Sequence, residues 1–279
     1  MLFIHCLQQT PIVMMHGINN DTHNMDMIKV WVEELLPGVY VRNCEVGNGK
    51  KDSIFMPINE QIDGLAQCIK DDKMLQNGFI GLGYSQGGYL LRGFLQKYNQ
   101  PRMKRLVTLS SPLSGYFCGR HYQCVEGLVI PEFLNNLAPA IVYSEFGQNL
   151  IGGAGYWRDP YNFDMYTERS TSLSLLDNVK EVNETYRQNF ASLDMLVMFG
   201  SPKDGVICPW NSAWFGGFLT DDETLHDMTE RFEYKQDLFG LRTLNEQGKV
   251  KAFDSHTKHE DYAGAEELIK TQVVQWLKD

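Results

Sequence analysis

The stretch Gly78–Arg92, GFIGLGYSQGGYLLR, constrains the fold of this chain more than any other. An apolar run ends at Tyr84, Ser85 follows directly, and an amphipathic helical pattern starts two residues later. Gly83 and Gly87 lack the side chains that would collide where a strand turns into a helix within one residue. The pattern G-x-S-x-G therefore predicts a strained turn that presents the Ser85 hydroxyl as a nucleophile. The alternative is an ordinary glycine-rich turn with a capping serine.

The rest of the chain alternates between strand and helix patterns. Apolar residues at helical spacing are found in Met27–Leu36 and in Ile58–Lys70. Short apolar runs typical of buried strands lie at Pro11–Met15, Val39–Cys44, Lys104–Leu109, Leu193–Phe199 and Val250–Phe253. Because helical patterns separate successive strand patterns, the sequence predicts an α/β fold with a mostly parallel, doubly wound sheet.

The alternation changes between residues 112 and 189. Helical patterns at Pro131–Leu137, Ile141–Leu150 and Thr171–Val182 are separated by loops rich in glycine, and no clear strand pattern is present. We therefore predict one domain over residues 10–279, with residues 112–189 as a helical, lid-like insertion after the strand that follows the serine turn. The aromatic residues of this insertion either cover an apolar site or simply pack against the core. Residues 1–9 are expected to be a signal-peptide remnant or an N-terminal extension.

The charge and hydrophobicity of the chain limit the classes of partner that we expect it to bind. Its 279 residues include 25 Lys and Arg against 35 Asp and Glu, which gives a net charge of −10. Acidity of this size argues against nucleic acid or an anionic membrane as the main partner. No apolar run reaches the roughly 18 residues needed to cross a bilayer, so no transmembrane segment is expected.

Two further stretches supply partners for Ser85. Asp204 lies in a tight loop just past the strand pattern Leu193–Phe199, and two histidines, His256 and His259, lie between the last strand and the last helix. The chain order Ser, Asp, His is that of a nucleophile, an orienting carboxylate and an imidazole base at successive strand ends. Alone, Asp204 could be a turn aspartate, and the residues leave the choice between the histidines open. A zinc site at the H-x-x-H spacing is not favoured, because no Glu-rich helix surrounds it.

The first predicted strand ends in His16-Gly17. Glycine at such a position lets backbone N–H groups approach the oxygen of a reacting carbonyl. This turn is therefore the predicted first half of an oxyanion-stabilising site.

The number of cysteines does not indicate whether the protein resides in an oxidising or a reducing compartment. Cys118 and Cys124 have the spacing of a small disulfide-closed loop, two free thiols being the alternative, while metal binding by the pair is not favoured because the spacing is not C-x-x-C. Asn20 and Asn183 begin N-x-T sequons, which would carry glycans only in a secreted chain. The six cysteines are Cys6, Cys44, Cys68, Cys118, Cys124 and Cys208.

Several stretches together resemble the palmitoyl-protein thioesterase family, lysosomal enzymes with an α/β-hydrolase fold that remove fatty acyl groups from cysteine thioesters. The similarity extends from about Thr10 to Leu277. The pieces in the insertion and after Asp204 are the most specific, whereas the serine pentapeptide is shared by many hydrolases. The matching pieces are His16-Gly17, Leu36–Val41, Gly83–Gly88, Tyr156–Pro160, Val182–Tyr186 and Trp210–Gly216.

The resemblance implies roles for individual residues. Ser85 would be the nucleophile and Asp204 the acid that orients the base. The backbone N–H groups of Ile18 and Gln86 would stabilise the oxyanion. No metal or organic cofactor is implied.

The resemblance also bears on the histidine and on the disulfides. Aligning the last helix with the family's ending, with a two-residue insertion, places His259 nearest the catalytic position and leaves His256 as the reserve. The family often pairs a cysteine at the position of Cys68 with a second one that this chain lacks there, which puts a disulfide at Cys68 in doubt. Cys118 and Cys124 match a family pair in position.

The expected function is hydrolysis of long-chain fatty acyl thioesters through an acyl-serine intermediate. The partners would be S-acylated proteins or peptides, or acyl thioesters such as acyl-CoA, and the enzyme would act as a monomer. The family implies a lysosome or vacuole, or secretion. A lipase or carboxylesterase acting on oxygen esters and a non-catalytic acyl-binding protein are the alternatives.

Overall fold

A computed structural model describes residues 9–119 and 138–279. The predicted helix Pro131–Leu137, Cys124 and the first eight residues of the N-terminal extension lie outside these ranges. Within the described ranges, no helix combines the length and the apolar character needed to cross a bilayer.

In the described part of the chain, six strands form one sheet in which every neighbouring pair is parallel. The strand order is β2-β1-β3-β4-β5-β6, so the chain reverses direction across the sheet after β2. This arrangement confirms the prediction of a parallel sheet. The strands are β1 (Ile12–Met15), β2 (Val41–Cys44), β3 (Phe79–Tyr84), β4 (Met103–Leu109), β5 (Met195–Gly200) and β6 (Val250–Asp254).

Helices cover both faces of the sheet. Alternate residues of β1 enter different cores: Ile12 and Met14 pack with the first and last helices, whereas Val13 and Met15 pack with the third and fourth. Because side chains alternate across a strand, one short buried run supplies both cores. The helices are α1 (Asp26–Leu35), α2 (Lys50–Phe55), α3 (Ile58–Asp71), α4 (Gln86–Lys97), α5 (Ala138–Val142), α6 (Glu145–Leu150), α7 (Phe163–Arg169), α8 (Leu173–Leu176), α9 (Glu184–Ala191), α10 (Phe232–Lys235), α11 (Leu241–Glu246) and α12 (Glu266–Leu268).

The helices between β4 and β5 are shorter than the sequence predicts. The run predicted over Ile141–Leu150 divides into α5 and α6, because the Ser144 hydroxyl accepts the Gly147 N–H at 3.0 Å and starts a new helix. The helix predicted from residue 171 to 182 is reduced to α8, since Asn178 adopts a left-handed conformation with φ of 56°. Local capping therefore overrides the apolar spacing here.

A buried ionic cluster joins α4 to the segment between β4 and β5 and to the segment between β5 and β6. Arg92 of α4 lies 2.7 Å from the carboxylate of Asp177, which Arg231 approaches at 3.3 Å. Glu233 lies 2.9 Å from Arg231 and 3.0 Å from Arg158. All five side chains are almost fully removed from water. Leaving any of these charges unpaired would be costly, so the cluster fixes how α4 and the two segments meet.

Glu233 gives this cluster a measurable pH signature. Burial alone would raise the pKa of its carboxyl, but the charges of Arg231 and Arg158 outweigh burial and lower the pKa to about 2, from an ordinary value of 4.5. The unfolded chain therefore takes up this proton first as the pH falls. The contribution of Glu233 to the free energy of unfolding is complete above about pH 4.5 and is lost toward about pH 2.

We expect Glu233→Gln to lower the free energy of unfolding at neutral pH by about 3 kcal/mol, because it leaves buried arginines without their counter-charge. The variant should also lose less stability than wild type between pH 4.5 and about 2. Denaturant unfolding at a series of pH values measures both effects. Glu246→Gln, at an exposed carboxylate, is the control, and parallel pH curves for wild type and Glu233→Gln would contradict the prediction.

A disulfide joins β2 to α3. Cys44 at the end of β2 and Cys68 of α3 are bonded, with their Cα atoms 6.2 Å apart. Cys68 is therefore disulfide-bonded although the family's usual partner is missing, because its partner here lies on the neighbouring strand and is distant in sequence. Cys118 and Cys208 each take part in a disulfide, and the two residues pack in one small cluster. The predicted pairing of Cys118 with Cys124 involves a residue outside the described ranges.

We expect the double variant Cys44→Ala, Cys68→Ala to lose about 3 kcal/mol of unfolding free energy, because the bond closes a loop with a sequence separation of 24 residues. Urea unfolding of the oxidised wild type and of the variant measures the loss. A reducing agent should shift the unfolding midpoint of wild type toward that of the variant. The same treatment should shift the midpoint of the variant less. An unchanged midpoint in the variant would contradict the prediction.

Candidate active site

Ser85 occupies the turn between β3 and α4. Its φ of 54° and ψ of −128° are unusual for a residue with a side chain, and its N–H donates to the Leu109 carbonyl of β4 at 2.8 Å. A Cβ on Gly83 would strike the backbone of Gly88, and one on Gly87 would strike the Met15 carbonyl of β1. The glycines are therefore required by backbone contacts, and the turn holds the Ser85 hydroxyl above the carboxyl end of the sheet.

The imidazole of His259 lies between Ser85 and Asp204. Its Nε2 is 2.9 Å from Ser85 Oγ, and its Nδ1 is 2.9 Å from Asp204 Oδ2. All three residues are buried, and Asp204 is fully inaccessible. Ser85 follows β3, Asp204 lies in the loop after β5, and His259 follows β6. The structure thus brings the three predicted residues together in hydrogen-bonding geometry.

The carboxylate of Asp204 is held on both oxygens. Oδ1 accepts the N–H groups of Val206 at 3.0 Å and Ile207 at 2.6 Å. Oδ2 accepts the hydroxyl of Ser110 in addition to contacting His259. Four contacts leave this carboxylate little freedom to rotate, so the imidazole faces Ser85 in a defined orientation.

The backbone of His259 is also fixed. Its N–H donates to the carbonyl of Asp204 at 3.1 Å, and its carbonyl accepts the Tyr84 hydroxyl at 2.7 Å. Burial raises the pKa of the Tyr84 phenol, which keeps this donor protonated. The ring of Tyr84 lies 5.2 Å from the imidazole ring, so the residue before Ser85 supports the histidine as well.

The second histidine lies elsewhere. The side chain of His256 is 73% exposed, and its Nδ1 is 3.1 Å from Asp254 Oδ2 at the end of β6. Its left-handed backbone, with φ of 54°, belongs to the turn that leads the chain toward His259. The geometry therefore favours His259 over His256 as the partner of Ser85.

The turn after β1 approaches Ser85 closely. A Cβ built on Gly17 would lie 2.9 Å from the Cβ of Ser85, so a side chain at residue 17 would displace the serine. Ile18 follows in this turn, and Gln86 is the first residue of α4. Because the first N–H groups of a helix have no partner within it, the Gln86 N–H is available at the helix start.

Sequence reasoning missed several groups that support the site. Glu45, just past β2, lies 2.7 Å from the imidazole Nε2 of His16 and so anchors the turn that contains Gly17. Ser110 directly follows β4 and contacts Asp204. Their positions immediately after neighbouring parallel strands were the available signal, since such positions meet at one edge of a sheet.

The described residues contain no group of three or more His, Cys, Asp or Glu side chains placed to hold a metal ion.

Comparison with solved structures supports the fold. A crystal structure of Aspergillus fumigatus lipase B aligns with a TM-score of 0.53 at 10% identity, covering 96% of this chain and 52% of the lipase. Bacillus licheniformis lipase BlEst2 aligns with a TM-score of 0.50 at 16% identity, covering 98% and 94%. At these identities the likeness shows the α/β-hydrolase fold alone.

Comparison of sequences identifies the family. The model of the palmitoyl protein thioesterase family matches residues 11–259. Palmitoyl-protein thioesterase 3 of Dictyostelium discoideum is 34% identical over 90% of this chain and 86% of its own length. Palmitoyl-protein thioesterase 1 of Caenorhabditis elegans is 32% identical over 92% and 88%, and the human lysosomal thioesterase PPT2 is 29% identical over 98% and 89%. The chain therefore belongs to the palmitoyl protein thioesterase family of thioester-hydrolysing enzymes.

Proposed function

We propose that this protein is a serine hydrolase that cleaves long-chain fatty acyl thioesters of cysteine or related thiols. The observation that carries the proposal is the buried contact series from Ser85 through His259 to Asp204 in a chain of this family. Ser85 acts as the nucleophile, His259 as the base, and Asp204 as the group that orients the base.

The reaction proceeds in two halves. The Nε2 of His259 takes the proton of Ser85 as Oγ attacks the thioester carbonyl, and the tetrahedral intermediate collapses by breaking the carbon–sulfur bond. His259 gives its proton to the departing thiolate, which leaves an acyl-serine and a free thiol. A water molecule then attacks the carbonyl carbon of the acyl-serine while His259 accepts its proton. The bond between the acyl carbon and Ser85 Oγ breaks, His259 returns the proton to Ser85, and the fatty acid is released.

Backbone N–H groups stabilise the negative charge that develops on the carbonyl oxygen in the tetrahedral intermediate. We assign these donors to the N–H groups of Ile18 and Gln86, one from the turn after β1 and one from the start of α4. The close approach of Gly17 to Ser85 supports this placement. One donor of this kind contributes about a hundredfold to a thousandfold in kcat in serine hydrolases.

The names of the relatives suggest the substrates and the compartment. The relatives named palmitoyl-protein thioesterases point to S-acylated proteins or peptides, with acyl-CoA as a further thioester. The lysosomal thioesterase names point to a lysosome or vacuole, with secretion as the alternative. We propose that the enzyme acts there as a monomer on such thioesters.

Variants of the two histidines separate the proposed base from its neighbour. We expect Ser85→Ala and His259→Ala to lower kcat by about a hundred-thousandfold or more, because removal of one member disables the whole unit. His256→Ala is the matched control and should retain activity, since that side chain is exposed and pairs with Asp254. Hydrolysis of a palmitoyl thioester measures all three. Loss of activity in His256→Ala alone would contradict the assignment.

Matched substrates test the acyl preference. Wild type should prefer a palmitoyl thioester over a butyryl thioester and over the corresponding oxygen esters. Each buried methylene contributes about 0.8 kcal/mol, so about four of them separate long from short chains by more than about a hundredfold in kcat/KM. A preference for short oxygen esters would instead identify a carboxylesterase. Binding of the palmitoyl compound without turnover would identify an acyl-binding protein.

A further inference from the structure

Ser53, near the end of α2, contacts both segments that supply the proposed oxyanion donors. Its hydroxyl accepts the N–H of Asn19 at 2.9 Å, and its carbonyl accepts the side-chain amide of Gln86 at 3.0 Å. We propose that Ser53 is a positioning residue that sets the separation between the N–H groups of Ile18 and Gln86. This inference rests on the proposed function of those two groups.

The first contact fixes the turn after β1. Asn19 immediately follows Ile18 and has a left-handed backbone with φ of 57°. The Ser53 hydroxyl donates its own proton to the Lys50 carbonyl at 2.8 Å, so its lone pairs remain directed toward Asn19. Ser53 is buried, so the oxygen that accepts this bond is largely shielded from water. The peptide that follows Ile18 is thus tied to α2, which restricts the orientation of Ile18 itself.

The second contact fixes the start of α4. The side-chain amide of Gln86 donates to the carbonyl of Ser53 and, at 2.8 Å, to Oε1 of Gln61. Its oxygen accepts the hydroxyl of Tyr156 at 3.0 Å. The side-chain amide of Gln61 also donates to the Ser53 carbonyl, at 3.2 Å. A buried side chain with three partners cannot change rotamer without losing hydrogen bonds, so it holds the backbone of Gln86 in place.

Both contacts are made by Ser53, so this one residue couples the position of the turn after β1 to the position of the start of α4. Oxyanion donors act only when they lie about 2.7–3.1 Å from the developing charge. A misplacement of about 1 Å can cost about a hundredfold in rate. If the turn after β1 and the start of α4 move independently, the oxyanion can accept a hydrogen bond from one of the two N–H groups but not from both at once.

The variant Ser53→Ala removes the hydroxyl and keeps the carbonyl, and alanine favours the helix that carries it. We expect kcat for a 4-nitrophenyl ester and for a palmitoyl thioester to fall about tenfold, with KM within about twofold of wild type. Affinity for a trifluoromethyl ketone, whose hemiketal carries the same oxyanion, should fall in parallel. Ser53→Thr, which retains a hydroxyl, should keep most of the wild-type kcat and most of the affinity for the ketone.

Two further variants separate positioning from general stability. Ser174→Ala removes another buried hydroxyl, which donates to the Ser170 carbonyl at 2.9 Å, and should leave kcat and ketone affinity unchanged. Tyr156→Phe loosens only the Gln86 side chain and should produce a smaller loss in kcat with unchanged KM. Wild-type values of kcat and ketone affinity in both Ser53→Ala and Tyr156→Phe would overturn the inference. Equal losses in Ser53→Ala and Ser174→Ala would overturn it too.

Labelling by a fluorophosphonate distinguishes this inference from the proposed function. The probe reacts with an activated serine whether or not a thioester is the substrate. Labelling of Ser85 that slows about tenfold in Ser53→Ala supports the inference even if wild type cleaves no thioester, an outcome that overturns only the thioesterase proposal. Absence of labelling at Ser85 in wild type would overturn both.

Discussion

The backbone of Ser85 is the constraint on which the site depends. A strand becomes a helix within one residue, and the strained positive-φ conformation this requires is held by the bond from the Ser85 N–H to β4. The turn also needs the carbonyl of Met15 and the backbone of Gly88 to lie where side chains would normally be. Close packing of β1, β3 and α4 therefore compensates for the strain and keeps the hydroxyl in a fixed position.

The parallel sheet explains how distant residues reach this hydroxyl. Because all six strands run in one direction, the residues that follow them meet at the same edge. Gly17 follows β1, Ser85 follows β3, Ser110 follows β4, Asp204 lies after β5 and His259 after β6. The candidate site is therefore built from five connections, and each depends on the register of its strand.

Much of this could be predicted because strand ends are visible in the sequence. The serine turn, Asp204 and the strand patterns needed only local features, and the prediction of a parallel sheet is confirmed. His259 and His256 could not be separated locally, since both follow β6 and only the tertiary path of the loop decides which one faces Ser85. The pairing of Cys68 with Cys44 and the ionic cluster around Asp177 join residues far apart in sequence, so no local pattern indicates them.

The segment between β4 and β5 is attached to the rest of the protein through polar contacts as well as apolar packing. Tyr156 donates to the side chain of Gln86, while Arg158, two residues later, enters the buried ionic cluster that reaches Arg92 of α4. Both attachments end on the helix that begins directly after Ser85. Apolar contacts tolerate small shifts, but buried hydrogen bonds and ion pairs lose most of their free energy when the geometry changes. A change in this segment is therefore transmitted to α4, the helix that begins directly after Ser85.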